Sequence, residues 1–312
     1  MKLDDLGYNN IFEKFRVDQK LDNCEIGRVI SEHKERYIVR TSFAEFESEI
    51  TGNMRFSATS REDFPAVGDW VALTTFDASH AIIQKIFPRF SIIKRQAVGK
   101  FGEIQIIATN IDFAFLIQAV DRDFSINRLE RYLTICHSSN VSPIILLSKT
   151  DLTDEQRVCK LIESIKLRIK NVLVIALSNE SLNGIKAIKS LIETGKTYCM
   201  LGSSGVGKST LINNLSGRNI MKTDSISQST NKGKHVTSHR ELVVLENGGI
   251  LIDNPGMREV GIVDSSIGLD TTFDTIINLS ESCKYNNCTH TTETGCSVIE
   301  SVAKGELEKK YI

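Results

Sequence analysis

The stretch "GSSGVGKST" at residues 202–210 constrains the fold of this chain more than any other feature. It contains every fixed position of the pattern G-x-x-x-x-G-K-[ST], and it lies between the strand-like "TYCML" and the apolar helix segment "LINNL". A glycine-rich loop in this context lets backbone amides and a helix N-terminus approach phosphate groups, which predicts an α/β nucleotide-binding domain. The predicted phosphate-binding residues are Gly202, Ser203, Ser204, Gly205, Val206, Gly207, Lys208, Ser209 and Thr210.

A second motif, "LLSKTDL" (146–152), also ends a buried strand. Asp151 can accept hydrogen bonds from guanine N1–H and the exocyclic amine, which adenine does not offer there, so the motif favours GTP over ATP. The Lys149 stem can cover the purine face. At the next strand end, Ala176 can donate its N–H to guanine O6, although a plain strand-to-helix loop is the alternative. The predicted base-contacting residues are Ser148, Lys149, Thr150, Asp151 and Ala176.

Two further segments are expected to face the γ-phosphate. "LIDNPG" supplies Asp253, an Mg²⁺ ligand directly or through water, and Gly256, whose N–H can reach the γ-phosphate. Lys208 is expected to reach the β- and γ-phosphates, and Ser209 to bind Mg²⁺. Thr237, on the loop before the next strand, is the expected second Mg²⁺ ligand.

The same loop, "NKGKHVTSHREL" (231–242), leaves alternatives open. Ser238 competes with Thr237 for Mg²⁺. His235 can orient the attacking water or the loop, but an exposed histidine without a function is the rival interpretation. Met257 occupies a position where some GTPases carry a water-orienting glutamine, so we expect slow unassisted hydrolysis. The predicted catalytic residues are His235, Lys208 and Thr237.

The order of these motifs is unusual, because the base motifs precede the phosphate loop. Cutting a compact domain at one surface loop and joining its old ends preserves every strand-end position. Strand-like and helix-like segments alternate from about residue 103, as in a doubly wound parallel sheet. The sequence therefore predicts a circularly permuted P-loop GTPase domain over residues 99–262.

Local signals predict further details. Thr153 and Gln156 are spaced as a capping box at a helix start, and residues 247–249 (Asn-Gly-Gly) predict a hairpin. Residues 25–95 contain five short β-rich segments, which suggest a small barrel of OB or SH3 type, or another small β-domain. This barrel domain is placed at residues 1–98.

The C-terminal region, placed at residues 263–312, carries "CKYNNCTHTTETGC" with the spacing C-x₄-C-x-H-x₅-C. Three thiolates and one imidazole fill a tetrahedral Zn²⁺ shell and leave no open position, which predicts a structural site. Unconnected cysteines are the alternative. The predicted zinc ligands are Cys283, Cys288, His290 and Cys296.

Net charge and apolar content lead to expectations about the protein's binding partners and its cellular location. The formal net charge is −1, so contact with RNA depends on local patches. No run of eighteen apolar residues occurs, and "MKLDDLGYNN" is not a secretory signal, so we expect a cytoplasmic location. Candidate basic patches, for which solvated surface is the alternative, are Lys85, Arg89, Lys94, Arg95 and Lys100; Lys166, Arg168 and Lys170; and Lys232, Lys234, His239 and Arg240.

A small barrel, a permuted GTPase domain and a C-C-H-C cluster together resemble the ribosome small-subunit-dependent GTPases of the RsgA/YjeQ family, over roughly residues 25–305. The resemblance implies an N-terminal OB-type β-barrel, the permuted GTPase domain and a small C-terminal zinc-binding helical domain. It also implies Mg²⁺-dependent GTP hydrolysis stimulated by the small ribosomal subunit, late maturation of that subunit, rRNA contacts and, we expect, a monomer. The family's hydrolysis-linked histidine falls on His235, and its zinc ligands fall on Cys283, Cys288, His290 and Cys296.

Three positions depart from the family pattern. Val236 interrupts the family's threonine run, which points to Thr237 as the Mg²⁺ ligand. Ser148 replaces the usual Asn or Thr, which predicts a weaker supporting hydrogen bond in the base pocket. Ile175 stands where a serine is common, which leaves the backbone of Ala176. The rival functions are a GTPase that assembles the large subunit, a P-loop ATPase or kinase, and a non-catalytic, nucleotide-gated RNA-binding module.

Overall fold

The computed structural model describes residues 1–33, 36–96, 104–121, 124–218, 241–253, 274–280, 282–285 and 288–307. Within these ranges, no helix combines the length and the apolar character that a bilayer crossing needs.

The first strands form a closed five-stranded barrel. Its order is β1-β2-β3-β5-β4, and pairing between β1 and β4 closes the ring. All neighbours are antiparallel except β3 and β5, which are parallel. A helix lies between β3 and β4, and this Greek-key order is that of an OB barrel, which resolves the choice that strand count left open. The strands are β1 (Glu25–His33), β2 (Arg36–Arg40), β3 (Glu45–Ile50), β4 (Trp70–Thr75) and β5 (His80–Ile86), and the helices are α1 (Asn10–Asp18) before the barrel and α2 (Gly52–Ser57) within it.

Buried and exposed side chains alternate along the barrel strands, and the buried ones form the barrel core. In β3, Phe46, Ser48 and Ile50 are buried, while the residues between them are exposed. Side chains of successive strand residues point to opposite faces, so one face of β3 contributes to the core and the other meets solvent. A second small core beneath α1 contains Phe12, Trp70 and other apolar side chains.

A two-stranded ribbon, β6 with β7, leads from the barrel into a six-stranded sheet. The sheet order is β10-β9-β8-β11-β13-β12, in which the first five strands are parallel and β12 is antiparallel to β13. Among the described residues, the pairing between β1 and β12 that joins this sheet to the barrel is that of Ser31 with Glu241. The strands are β6 (Ile92–Gln96), β7 (Ile104–Thr109), β8 (Phe113–Ala119), β9 (Ser142–Ser148), β10 (Leu173–Ala176), β11 (Thr197–Leu201), β12 (Glu241–Val244) and β13 (Ile250–Asp253).

Helices cover both faces of this sheet. Leu129 and Ile165, from helices on one face, pack with one side of the strands. Ile188 and Leu211, from helices on the other face, belong to a second apolar cluster. Two cores on one parallel sheet define the doubly wound architecture expected from the sequence. The helices of this part are α3 (Ile126–Ser138), α4 (Glu155–Arg168), α5 (Ile185–Leu191) and α6 (Lys208–Ser216).

Two local predictions have different outcomes. The hairpin through residues 247–249 is confirmed, and Gly248 has a φ of +82°, a conformation that favours glycine. The capping box is wrong by one residue: Asp154, not Thr153, caps α4 by accepting a hydrogen bond from the N–H of Arg157 at 2.7 Å. An ionised carboxylate is a strong acceptor at a helix N-terminus, where it also meets the positive end of the helix dipole.

Two arginines with little exposure bind groups that are distant along the chain. Arg28 is 1% exposed and donates to the carbonyls of Leu6, Gly68 and Asn110, which lie before α1, before β4 and between β7 and β8 respectively. Desolvation lowers its pKa to about 10. Arg89, just after β5, binds both carboxylate oxygens of Asp69 at 2.8 and 2.6 Å.

The C-terminal region contains α7 (Asp274–Ser280) and α8 (Ser297–Ala303), which contact each other. The cysteine-rich loop connects them, and Cys296 caps α8 through a hydrogen bond from the N–H of Ile299 to its sulfur at 3.5 Å.

Candidate functional site

The candidate nucleotide site lies where three parallel strands end. The carboxyl ends of β9, β10 and β11 lie at one edge of the sheet, because these strands are parallel and connected through helices. In open α/β sheets, ligands bind in the crevice outside these ends. Each of the predicted base and phosphate motifs follows one of these strands.

The phosphate loop follows β11 and ends at the first turn of α6. Val206 is buried, whereas Ser204 and Gly205 are exposed. Gly207 caps α6 with a φ of +94°, and a Cβ there would lie 2.7 Å from the side-chain nitrogen of Asn179. Glycine therefore suits the backbone conformation, and its missing Cβ leaves room for the Asn179 side chain.

Lys208 lies over this loop. Its Nζ donates to the carbonyls of Gly202 at 2.8 Å and Ser203 at 2.7 Å. The ammonium group is thus held beside the backbone that the sequence predicts will surround phosphates. An anion at this position would compete for the same three N–H donors.

Ser148 connects the base motif to the phosphate loop. Its side chain is fully buried, and its Oγ lies 2.8 Å from the carbonyl of Val206 and 3.3 Å from that of Gln118. The sequence predicted that a serine here would give weaker support than Asn or Thr. The structure shows that the short hydroxyl still reaches the phosphate loop, because β9 and β11 both end close to Val206.

The rest of the base motif forms a single turn of 3-10 helix over residues 150–152. Lys149 has a φ of +59°, and its Nζ lies 3.4 Å from Oδ2 of Asp121. The N–H of Thr150 donates to the carbonyl of Leu177 at 3.2 Å, which ties this turn to the loop after β10. Asp151 is exposed and accepts a hydrogen bond from the hydroxyl of Ser178.

The loop after β10 contains two residues that the sequence analysis did not single out. Ser178 contacts Asp151, and the side chain of Asn179 donates to the carbonyl of Gly207 at 3.0 Å. Ala176, the predicted partner of guanine O6, ends β10 and is partly buried. A polar pair directly after a strand end, close to Ala176 in the sequence, is the signal that could have identified them.

Several predicted residues fall at or beyond the edge of the described ranges. Asp253 is the last residue of β13, which pairs in parallel with β11, the strand that leads into the phosphate loop. The other predicted switch and catalytic residues of this region lie outside the described residues: His235, Thr237, Ser238, Gly256 and Met257.

The basic patches are not all surface patches. Arg168 is buried and paired with Glu130 at 2.5 Å, and Arg89 is buried against Asp69. Lys94 pairs with Glu62 at 2.6 Å. These arginines are structural because each pairs with a buried carboxylate that is distant along the chain, which spacing alone does not reveal. Lys100, Lys232, Lys234, His239 and Arg240 lie outside the described residues.

The cysteine-rich loop brings its four predicted ligands together. One donor atom from each lies within 4.8 Å of every other, and Nδ1 of His290 is 3.3 Å from the sulfur of Cys296 and 3.6 Å from that of Cys283. Three sulfurs and one imidazole nitrogen are soft ligands of the kind that Zn²⁺ prefers. The donor set and its spacing therefore fit a structural metal site.

Backbone groups around this cluster affect its thiols. Desolvation opposes ionisation of Cys283, but hydrogen bonds from the backbone of Ser297, from Cys296 and from the backbone of Val298 outweigh it and lower its pKa. Glu293 accepts hydrogen bonds from the N–H groups of Thr289, Thr291 and Thr292, which shapes the turn around His290. The loop is thus folded around the donor atoms by its own backbone.

Solved structures share this fold. The structure titled "Crystal structure of YjeQ from Thermotoga maritima" superposes with a TM-score of 0.67 and 22% identity, and covers 92% of this chain and 94% of that one. The structure titled "The crystal structure of YloQ, a circularly permuted GTPase" gives a TM-score of 0.64 at 23% identity, with coverage of 92% and 91%. The fold is therefore that of a circularly permuted GTPase with an N-terminal barrel.

Sequence comparisons agree with the fold. The "Small ribosomal subunit biogenesis GTPase RsgA 2" of Lactiplantibacillus plantarum is 42% identical over 299 residues, which span 95% of this chain and 83% of that protein. The "Small ribosomal subunit biogenesis GTPase RsgA" of Methanosarcina acetivorans is 39% identical over 287 residues, which span 92% and 76%. A sequence model described as "RsgA GTPase" matches residues 86–263, more than half of the chain. The protein therefore belongs to the RsgA GTPase family.

Proposed function

We propose that this protein hydrolyses GTP to GDP and phosphate during late maturation of the small ribosomal subunit, slowly by itself and faster when bound to that subunit. The observation that carries the proposal is the joining of the base motif to the phosphate loop. Ser148 bonds to the carbonyl of Val206, and Asn179 bonds to that of Gly207. One nucleotide can therefore contact both motifs at one edge of the sheet. The names of the similar proteins support the choice of the small subunit.

Guanine would be selected by hydrogen bonding. The exposed carboxylate of Asp151 can accept from N1–H and the exocyclic amine, while Ala176 donates its N–H to O6 and the Lys149 stem covers the ring. Adenine would leave the carboxylate without these donors, which costs affinity because a polar site built for such bonds rejects a base that lacks them.

The phosphates would occupy the loop between β11 and α6. Backbone N–H groups of residues 202–207 and the start of α6 provide positive potential. Lys208 would exchange its bonds to the carbonyls of Gly202 and Ser203 for bonds to the β- and γ-phosphates. This exchange keeps the ammonium group hydrogen-bonded in both states.

The residues that would hold Mg²⁺ are Ser209, Thr237 and Asp253. The positions of two of them along the fold support this assignment, because Ser209 lies in the first turn of α6 and Asp253 ends the strand beside β11. When bound, the ion would neutralise charge on the phosphate oxygens. The dependence of hydrolysis on Mg²⁺ belongs to this proposal.

Hydrolysis itself would depend on the switch residues. Gly256 would donate its N–H to the γ-phosphate, and His235 would orient the attacking water. Met257 cannot orient water by hydrogen bonding, so we expect slow turnover until the ribosomal partner completes the site. The switch leads directly along the chain to the C-terminal region, which offers a route for a γ-phosphate-dependent movement.

Each of the three proposed domains would have its own role. Residues 1–98 and 263–312 would contact rRNA, and residues 99–262 would bind and hydrolyse GTP. In the C-terminal domain, Zn²⁺ held by Cys283, Cys288, His290 and Cys296 would supply folding free energy, since so short a segment buries little apolar surface. The proposal includes a monomer that acts in the cytoplasm, where it would meet the ribosomal subunit.

The decisive experiment measures GTP hydrolysis by the purified protein alone, with isolated small subunits and with isolated large subunits, using ATP as a parallel substrate. We expect strong stimulation by small subunits and with GTP only. Lys208→Ala is the control for contaminating activity, because it removes the group expected to reach the phosphates. Stimulation by large subunits only would point to assembly of that subunit.

Other outcomes would point to other functions. Hydrolysis of ATP at a rate similar to GTP would contradict the role of Asp151. Tight GTP binding to small subunits without any turnover would support a nucleotide-gated RNA-binding module instead of an enzyme. No stimulation by either subunit would leave a permuted GTPase with another activator.

A further inference from the structure

We propose that Ser178 positions Asp151 for guanine recognition and so acts as a specificity determinant, in place of the serine that Ile175 replaces. This inference rests on the proposed binding of guanine nucleotides. Ser178 lies three residues beyond Ile175, at the start of the loop after β10, and its hydroxyl donates a hydrogen bond to Oδ1 of Asp151.

The direction of this hydrogen bond follows from the partners of the hydroxyl. A serine hydroxyl has one proton to donate and two lone pairs that accept. The backbone N–H groups of Glu180 and Ser181 point at the Ser178 oxygen from 3.2 and 3.1 Å and use its accepting capacity. An ionised carboxylate can only accept, so the single proton of Ser178 is directed to Asp151.

Ser178 is itself fixed in place. Its side chain is fully buried, and its N–H donates to the carbonyl of Asn183 at 3.0 Å. The turn that carries Asp151 is tied to the same loop, because the N–H of Thr150 donates to the carbonyl of Leu177. Neither partner can therefore move far without breaking bonds to the other.

The geometry leaves the carboxylate able to bind a base. Ser178 occupies one position on Oδ1, and the side chain of Asp151 remains exposed. A carboxylate offers about four acceptor positions, so Oδ2 and the rest of Oδ1 stay available for N1–H and the exocyclic amine. Holding one oxygen fixes the plane of the carboxylate, and two parallel bonds to guanine require that plane.

The neighbouring residue explains why this loop can position a base group relative to the phosphates. Asn179 donates to the carbonyl of Gly207, and the side chain of Asn214, on α6, donates to the carbonyl and side-chain oxygens of Asn179 at 3.2 Å. The loop is thus attached to the phosphate loop and its helix at one residue, while the preceding residue contacts Asp151.

The test measures dissociation constants of GDP, IDP and ADP for the wild-type protein, Ser178→Ala, Ser178→Thr and Ser181→Ala. IDP has N1–H but lacks the exocyclic amine. A hydrogen bond to a charged group is worth enough that Ser178→Ala should weaken GDP binding about tenfold. IDP binding should weaken less. The dissociation constant of IDP divided by that of GDP should therefore be smaller for Ser178→Ala than for wild type. Ser178→Thr keeps the hydroxyl and should restore the ratio.

Ser181→Ala is the matched control, because Ser181 is exposed in the same loop and touches Ser178 through its backbone. It should leave both constants within about twofold of wild type. If Ser178→Ala weakened GDP and IDP equally, its role would be loop stability alone and the proposal would be wrong. An unchanged ratio with unchanged affinity would overturn it as well.

A double-mutant cycle gives a second, independent measurement. Ser178→Ala in an Asp151→Ala background should have little further effect on GDP binding, because the two residues act as one unit. A full additional loss would contradict the proposal. If the wild-type protein did not prefer GDP to ADP, the proposed guanine site would fail, and that outcome is distinguishable from failure of the Ser178 role.

Discussion

Replacing Ser148 by alanine removes the hydroxyl that joins the base motif to the phosphate loop. The side chain is fully buried, and its single proton is better placed for the carbonyl of Val206, at 2.8 Å, than for that of Gln118, at 3.3 Å. The substitution deletes one oxygen and creates almost no cavity. The expected effect is therefore the loss of one hydrogen bond at a buried carbonyl.

The magnitude follows from that loss. A buried polar group deprived of its partner costs about 1–3 kcal/mol. For a domain of about 150–250 residues, each kcal/mol lowers the unfolding midpoint by about 2–4 °C, so Ser148→Ala should lower Tm by about 2–12 °C. Because Asn179 provides a second tie to Gly207 at 3.0 Å, the single variant should keep its fold and lose GDP affinity by less than about tenfold.

The assay is thermal unfolding with and without GDP, together with the dissociation constant of GDP. Ser148→Thr keeps the hydroxyl and should remain near wild type. Ser142→Ala is the control on the same strand, since Ser142 is exposed at the start of β9. The double variant with Asn179→Ala should lose more affinity than the sum of the single losses, because both ties between the loops are then absent. A Tm within about 1 °C of wild type and unchanged GDP affinity for Ser148→Ala would show that this hydroxyl does not stabilise the junction of the two loops.

Two further variants test the packing of the barrel and the metal loop. Arg89→Met should lower the free energy of unfolding by about 3–5 kcal/mol, because Asp69 would be left buried without its cation. The measurement is urea denaturation. The control is Arg36→Met, at an exposed ion pair, which should change the free energy of unfolding by less than about 0.5 kcal/mol. An equal effect of the two would contradict the structural role of Arg89. Zn²⁺ added to the proposed site should pass to a chelator about tenfold faster from Glu293→Ala than from wild type, because the turn around His290 loses three backbone hydrogen bonds. Glu300→Ala on α8 is the matched control. Release at the wild-type rate would show that the turn is held by the ligands alone.

Local secondary structure could be predicted from the sequence. The apolar run "SPIILLS" predicted β9 at residues 142–148, and the structure places it there. A strand covered on both faces needs apolar side chains at successive positions, so a continuous apolar run in the sequence predicts such a strand. The phosphate loop was equally predictable, since glycine spacing and the flanking strand and helix are encoded within a few residues.

The circular permutation was predicted from the order of the motifs along the chain. Each motif marks the end of one strand, and strand ends keep their places when the chain is cut and rejoined elsewhere. The amino-acid sequence was therefore enough to predict the doubly wound domain, the strand ends at which the candidate motifs lie, and the four residues that meet in the cysteine cluster. These features depend on residues close in sequence or on the order of local units.

Features that depend on residues distant along the chain could be established only from the folded protein. The barrel type required the parallel pairing of β3 with β5, which strand count cannot supply. The burial of Arg89 and Arg168 depends on carboxylates that are 20 and 38 residues away along the chain. The contact between Ser178 and Asp151 exists because β9 and β10 are parallel neighbours whose loops leave the same edge. A hydrogen bond between two loops is set by the register of the strands that carry them, and that register forms only when the sheet does.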